Sequence, residues 1–127
     1  MRLQAGVTLI EMLVVVTIIG LFAALVGPQM FGALDKARVT AAHDQIRLFK
    51  TALLSYKIDS GTFPANDQGL EALRPYLDGD VPTDPWKHPY TYKYPGQHGD
   101  APDIISLGAD GQPGGDGINA DIVSWKN

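Results

Sequence analysis

The sequence predicts an α+β protein in which a long N-terminal helix, apolar in its first half and amphipathic in its second half, packs on a small antiparallel β-sheet. Three observations predict this class. An apolar run begins the chain, apolar residues in the middle recur at steps of three and four, and short alternating segments follow near the end. Helix patterns and strand patterns are therefore segregated along the chain, as α+β folds require.

The apolar run covers residues 6–26, and its single ionisable side chain is the carboxylate of Glu11. About 20 residues at ~1.5 Å rise give ~30 Å of helix, the hydrocarbon thickness of a bilayer. Three interpretations fit this run: a signal peptide, a permanent anchor, and a segment that lies in membrane first and then packs against copies of itself. A signal peptide is disfavoured because the small residues Ala5 and Gly6 precede the run instead of following it.

The second half of the helix follows Pro28. Proline lacks a backbone donor and clashes with the preceding turn, so we expect a kink or local unwinding there before the helix resumes. The apolar residues that then share one helical face are Val39, Ala42, Ile46, Phe49, Leu53 and Tyr56. This face needs a partner layer, and Gly61 ends the helix.

The partner layer is predicted from three strand candidates in the C-terminal part of the chain. These candidates are residues 90–94, 103–107 and 122–125. The prolines around Trp86 exclude a central strand there. A sheet of these strands would bury the apolar face of the helix.

A short helix is predicted before the sheet, at residues 67–73. Asn66 or Asp67 would cap it, and it would stop before Pro75. Its inward residues would be leucines 70 and 73.

Composition excludes several classes of function. The chain has 127 residues, a formal net charge of −4 and no cysteine. Basic residues concentrate before position 60 and acidic residues after it, so no nucleic-acid surface is expected. Without cysteine there is no disulfide framework and no thiol nucleophile. Scattered histidines, and no P-loop, serine elbow or dinucleotide motif, predict that the chain is not an enzyme.

A glycine-rich loop, residues 108–121, carries carboxylates at intervals. Such a loop suits Ca²⁺, which takes several oxygen ligands in irregular geometry, although the acidic spacing is not that of an EF-hand. The residues alone leave two interpretations open at about even weight: a calcium loop and a solvated acidic turn.

The run Gly6-Val7-Thr8-Leu9-Ile10-Glu11 resembles the processing motif of type IV pilin-like proteins. Those proteins are cut after the glycine by a prepilin peptidase, which N-methylates the new terminus, and they assemble into helical filaments. Further segments narrow the resemblance to the major pseudopilins of type II secretion systems. Among them are Tyr56-Lys57-Ile58-Asp59, Gln68-Gly69-Leu70-Glu71-Ala72-Leu73, Pro82-Thr83-Asp84-Pro85-Trp86 and Ser106-Leu107-Gly108-Ala109-Asp110-Gly111.

The resemblance implies a pilin-like fold with three parts. These are a leader peptide (residues 1–6), a transmembrane and filament-core helix (7–27) and a globular pseudopilin domain (28–127). The segment between Leu73 and Val81 is shorter than is usual in the family.

At the N-terminus the resemblance implies cleavage between Gly6 and Val7 and N-methylation of Val7, although the family usually has Phe at this position. Pro28 would be the helix-breaking proline that takes part in assembly. Glu11 would pair with the Val7 amine of a neighbouring subunit. From the residues alone, a Glu11 carboxylate that reaches the membrane interface is the alternative.

In the loop the resemblance implies a structural calcium ion. Its ligands would be the side chains of Asp110, Asn119 and Asp121 and the backbone carbonyl of Leu107, with Asp116 ranked lower. Asn119 stands where Asp is common in the family, so we expect weaker binding, because an amide oxygen brings no charge.

The implied function is that of a core structural subunit of the type II secretion pseudopilus, a periplasmic filament that drives export of folded proteins through the outer membrane. The chain would cross the inner membrane once, with its C-terminal domain in the periplasm. Its partners would be further copies, the prepilin peptidase, minor pseudopilins, the inner-membrane assembly platform and, before assembly, membrane lipid. The alternative is a type IV pilin or a minor pseudopilin, which the lack of cysteine and the presence of Glu11 respectively disfavour.

Overall fold

The computed structural model describes residues 4–126, so the first half of the predicted leader lies outside the described residues. The elements in chain order are helix α1 (Leu9–Ser60), the 3₁₀ helix η1 (Gly69–Tyr76), strands β1 (Thr91–Lys93) and β2 (Asp103–Ser106), the 3₁₀ turn η2 (Gly117–Asn119) and strand β3 (Ile122–Val123). A long helix and a three-stranded antiparallel sheet confirm the predicted α+β class. The chain divides into two compact units, residues 1–35 and 36–127.

The first unit contains the apolar half of α1. Within residues 4–126, α1 is the one helix long and apolar enough to cross a membrane, with a mean hydropathy of 2.7 over an 18-residue window. None of that window is buried within the chain. Leu9 is 81% exposed and Phe31 is 70% exposed. The chain therefore provides no cover of its own for this apolar surface.

Pro28 lies inside α1, and the helix continues through it without a break. The predicted local unwinding is therefore wrong for the isolated chain. The fixed φ of proline is itself helical, and its missing N–H removes a single backbone hydrogen bond, so turns on both sides can carry the helix across it.

The second unit holds the apolar core of the described residues. The buried residues of α1 are Ala42, Ile46, Phe49, Ala52 and Leu53, which confirms the predicted face. The predicted members Val39 and Tyr56 pack against this cluster while remaining partly exposed. The Phe49 ring meets the edge of Tyr90 at a centroid distance of 5.1 Å. Aromatic contact thus ties the helix to the start of β1.

The sheet has the order β1-β2-β3, and both pairs are antiparallel. The strands are shorter than predicted, and the end of β3 shows why. The backbone N–H of Ile104 donates to the hydroxyl of Ser124 at 3.0 Å, and the N–H of Ser124 donates to the Ile104 carbonyl at 3.0 Å. A side-chain hydroxyl thus replaces one carbonyl of the ladder and ends the regular pairing.

The predicted short helix exists, but its type and bounds differ from the prediction. It is a 3₁₀ helix that contains Pro75, and no side chain caps its start. Asn66 does not cap the helix, because its side chain hydrogen-bonds the N–H and the carbonyl of Tyr94, at 2.7 and 2.6 Å. Leu70 and Leu73 are buried, as predicted.

Truncating Phe49 to alanine is expected to destabilise the second unit by about 3–5 kcal/mol, because a fully buried aromatic ring leaves a cavity. Leu48 provides the matched control, since it lies next to Phe49 on α1 and is 48% exposed. Leu48→Ala should cost about 1 kcal/mol or less. Denaturant unfolding followed by tryptophan fluorescence measures both, and equal losses would contradict the placement of the core.

Alkaline pH is expected to destabilise the second unit, because burial raises the pKa of Tyr90 and of Tyr92 well above the ordinary value of 10.0. Tyr92 donates its hydroxyl to the Pro64 carbonyl at 2.7 Å. The unfolded chain loses these protons first, so the contribution of the two tyrosines to stability is constant below about pH 9 and falls as the pH rises through 10 and beyond. Unfolding curves from pH 8 to 11 test this, and Tyr92→Phe should show a shallower fall than the unmodified chain.

Candidate functional site

The predicted cleavage position lies just before α1. Residues 4–8 are not helical, and both Gly6 and Val7 are exposed, Val7 at 61%. An exposed, non-helical peptide bond is the geometry that a peptidase requires. Cleavage between these residues and methylation of Val7 stay predictions.

Thr8 fixes the start of α1. Its hydroxyl accepts the Glu11 N–H at 3.2 Å, and its carbonyl accepts the Met12 N–H at 3.2 Å. Glu11 lies in the first turn, where a carboxylate is favoured by the helix dipole. This cap was not among the predicted features, although a threonine followed three residues later by glutamate is a capping-box pattern. The Val7 nitrogen therefore lies just outside the helix, close in sequence to the carboxylate.

The glycine-rich loop is folded back so that its two ends meet. Ala109 donates its N–H to the Ile118 carbonyl at 2.9 Å. A Cβ on Gly108, where φ is +74°, would lie 2.9 Å from the Asn119 carbonyl oxygen and 2.8 Å from that of Ala120. Only glycine fits this approach. The fold thus brings Leu107 and Gly108 beside Asn119 and Ala120.

The predicted calcium ligands belong to this closed loop or, for Leu107, to the residue just before it. Asp110 is exposed, and its Oδ1 accepts the Gln112 N–H at 3.1 Å. Asp121 is partly buried, and its Oδ2 accepts the Gly114 N–H at 3.1 Å. Its other oxygen, Oδ1, is buried and has no hydrogen-bond partner. A buried carboxylate oxygen without a donor is costly, and a cation is one group that satisfies it.

The remaining ligands of the prediction carry no charge. Asn119 ends η2 and is partly buried, as is Leu107. Asp116, which ranks lower in the prediction, is exposed. Among residues 4–126, no group of three or more His, Cys, Asp or Glu side chains is placed to hold a metal ion. A site here therefore depends on amide and backbone oxygens together with two carboxylates, which Ca²⁺ accepts.

A buried carboxylate next to the loop was missed by the sequence analysis. Asp84 is 2% exposed, and its Oδ1 accepts the N–H groups of Trp86 and His88 at 3.1 and 2.8 Å. Its Oδ2 accepts the Ser106 hydroxyl at 2.8 Å. The Asp-x-x-x-His turn and the serine that ends β2 lie 22 residues apart, so no local pattern predicts this contact.

Family models match nearly the whole chain. One, described as type II secretion system protein G, matches residues 29–125. A second, described as a prokaryotic N-terminal methylation motif, matches residues 1–27.

Individual relatives agree with the family models. The chain is 44% identical to the type II secretion system core protein G of Pseudomonas aeruginosa, over 99% of this chain and 98% of the relative. It is 43% identical to the protein of the same name from Vibrio cholerae, over 99% of this chain and 94% of the relative.

A solved structure agrees as well. The crystal structure of the major pseudopilin from the type 2 secretion system of enterohaemorrhagic Escherichia coli matches with a TM-score of 0.64 and 31% identity, covering 76% of this chain and 89% of that chain. The resemblance seen in the sequence is thus confirmed. The chain belongs to the type II secretion system protein G family.

Proposed function

We propose that this chain is the core structural subunit of the type II secretion pseudopilus and assembles with further copies into a helical filament that drives export of folded proteins through the outer membrane. Its family supports this function. The observation that carries it is the apolar half of α1, which the chain leaves wholly uncovered. Apolar surface of this extent needs lipid or protein around it. In a structural subunit that moves from the membrane into a filament, this surface is covered first by lipid and then by neighbouring subunits.

The family and the same apolar surface support a location and a set of partners. We infer that residues 7–27, called the arm below, anchor the chain in the inner membrane with the second unit in the periplasm. A prepilin peptidase would then cut between Gly6 and Val7 and methylate Val7. Minor pseudopilins and an inner-membrane assembly platform complete the proposed partners. The chain is not proposed to be an enzyme, since a filament subunit works through its contacts.

Packing of the arms is supported by their small residues. Apart from the backbone of its own helix and its two chain neighbours, no atom of the described residues lies within 4 Å of where a Cβ on Gly20 would be, so this position is open to a neighbouring helix. Ala23 and Ala24 follow within about one turn. Small residues let helix backbones approach closely when lipid contacts are exchanged for protein contacts.

Glu11 is proposed to pair with the Val7 amine of a neighbouring subunit. Both groups lie at the start of the arm, so their charges would be enclosed when arms pack together. An unpaired charge in such surroundings is strongly penalised, and a pair sets the register between helices. Pro28 is proposed to let the helix unwind locally on assembly, since one backbone hydrogen bond is already missing there.

We also propose a structural calcium ion in the loop, held by the Leu107 carbonyl and by the side chains of Asp110, Asn119 and Asp121. The buried, unpartnered Oδ1 of Asp121 supports this donor set. When bound, the ion would neutralise two carboxylates and link the ends of the loop. In a chain without cysteine, such a link would replace the role of a disulfide.

A secretion assay tests the proposed function. Deleting the gene should cause substrates of the type II pathway to accumulate in the periplasm, and the intact chain supplied in trans should restore export. Assembly of type IV pili on the same cells is the control and should not change. Normal export together with loss of surface pili would overturn the proposal in favour of a type IV pilin.

A further inference from the structure

We propose that Asp84, Ser106 and His88 are positioning residues for the calcium ion: together they orient the peptide between Leu107 and Gly108 so that the Leu107 carbonyl faces the ion. This inference rests on the proposed calcium site. None of the three residues is among its proposed ligands.

The three side chains and Gly108 form a closed ring of hydrogen bonds. Asp84 accepts the Ser106 hydroxyl at 2.8 Å, and the Ser106 oxygen accepts the Gly108 N–H at 3.3 Å. The Gly108 carbonyl lies 3.2 Å from Nδ1 of His88. The ring closes through the backbone of His88, whose N–H donates to Oδ1 of Asp84 at 2.8 Å. Both backbone groups of Gly108 are therefore held by side chains.

The direction of these bonds follows from the chemistry of each group. An ionised carboxylate only accepts, so the Ser106 hydroxyl must donate to Asp84. The Ser106 lone pairs are then left to receive the Gly108 N–H. A carbonyl also only accepts, so Nδ1 of His88 must carry the proton that goes to Gly108. Asp84 thus sets the direction of the bonds that run through Ser106.

Peptide geometry explains how this ring of hydrogen bonds would orient the Leu107 carbonyl, which is a proposed ligand of the ion. In a trans peptide the carbonyl of one residue and the N–H of the next point in opposite directions. The Gly108 N–H points to Ser106, so the Leu107 carbonyl points away from Ser106. The bond from His88 fixes the following peptide, and the φ of +74° at Gly108 joins the two. Rotation of the Leu107 carbonyl would break the bond between Gly108 and Ser106.

Burial makes the ring stiff. Ser106 is 0% exposed, Asp84 is 2% exposed and Gly108 is buried. Hydrogen bonds are stronger in such surroundings, and leaving one partner unsatisfied is more costly. The His88 ring also lies against the loop, because a Cβ on Gly111 would stand 3.2 Å from its Cε1 atom. The His88 imidazole therefore lies against the loop on both sides of Asp110, at Gly108 and at Gly111.

The test compares Ser106→Ala with Ser124→Ala in the full-length chain held in detergent micelles. Ser124 is the matched control, because it is also buried and its hydroxyl also accepts a backbone N–H, that of Ile104 in strand β2, which is not part of the loop. Melting followed by fluorescence of the two tryptophans, with EGTA and with increasing CaCl₂, gives the stability without calcium and the apparent Kd for calcium.

Ser106→Ala is expected to weaken calcium binding by about tenfold or more, as loss of a group that orients a ligand does. Ser124→Ala should lower the melting temperature in EGTA but leave the Kd within about twofold. A Ser106→Ala chain that binds calcium with the original Kd, while melting earlier in EGTA, would overturn the inference and leave the calcium site intact. No calcium-dependent shift in the unmodified chain would instead overturn the calcium site, and the inference with it.

A second pair of variants keeps the test decisive if Ser106→Ala does not fold. His88→Ala removes the donor to Gly108, whereas His88→Asn keeps an amide N–H at a similar reach. The alanine variant should weaken calcium binding, and the asparagine variant should restore most of the affinity. Equal Kd values for both variants and the unmodified chain would contradict the positioning role.

Discussion

Replacing Glu11 with alanine is expected to abolish filament assembly while membrane insertion and leader cleavage remain intact. In the proposed filament the variant would bury the Val7 amine without a partner, and removing one member of a buried ion pair costs about 3–5 kcal/mol. The cost recurs at every subunit, so filaments should fall below detection. Electron microscopy of sheared filaments measures assembly, carbonate extraction measures insertion, and gel mobility measures cleavage.

Glu11→Gln separates pairing between subunits from capping within one subunit. Glutamine serves in a capping box as well as glutamate does, and Thr8 would still cap the helix. If the charge matters, Glu11→Gln should fail as alanine does, and Glu11→Asp should keep part of the assembly. Normal filaments and normal export from the alanine or glutamine variant would contradict the proposed pairing.

Removing calcium is expected to lower the melting temperature of the second unit by about 10–20 °C relative to calcium at a hundredfold excess over its Kd. Such an excess contributes about 2.7 kcal/mol, and each kcal/mol shifts the melting temperature of a domain of this size by about 4–8 °C. Fluorescence melting with CaCl₂ and with EGTA measures the difference.

Two isosteric changes in the same loop identify the ligands. Asp121→Asn removes the charge from the buried carboxylate, and the calcium-dependent shift should shrink to a few degrees or vanish. Asp116→Asn is the matched control, because Asp116 is exposed and outside the proposed donor set, so the shift should stay. A shift absent in the unmodified chain would favour a solvated acidic turn. A shift lost equally in both variants would contradict the proposed ligand set.

The features that the sequence predicted well are those with a local period. Steps of three and four residues place Ala42, Ile46, Phe49 and Leu53 on one face, and each of them is buried. Alternation predicted the first strand, and β-favouring residues in short segments predicted the other two. An apolar run of about 20 residues predicted a helix long and apolar enough to cross a membrane, because length and composition alone decide whether a helix meets that condition.

The features that the sequence missed depend on contacts between distant residues. Asn66 looks like a helix cap, but its side chain bonds Tyr94 instead. Asp84 and Ser106 form a hydrogen bond although they lie 22 residues apart in the sequence, and the residues around either one do not predict this contact. The local unwinding predicted at Pro28 is not observed for another reason, because the penalty of one lost hydrogen bond does not by itself unwind a helix.

The resemblance supplied the candidate ligands of the loop, and composition alone could not. Glycine and aspartate in this pattern suit both a calcium loop and an acidic turn. The folded loop adds one observation that composition could not give, the Oδ1 of Asp121, which is buried and has no hydrogen-bond partner among the described residues.

A reconstruction of the assembled filament at side-chain resolution tests the central claim most directly. It should show residues 7–27 of many copies packed together at the filament axis, with the Val7 amine of one subunit within about 4 Å of the Glu11 carboxylate of a neighbour. Glu11 carboxylates that face solvent or lipid, or that contact only Thr8 of their own chain, would contradict it.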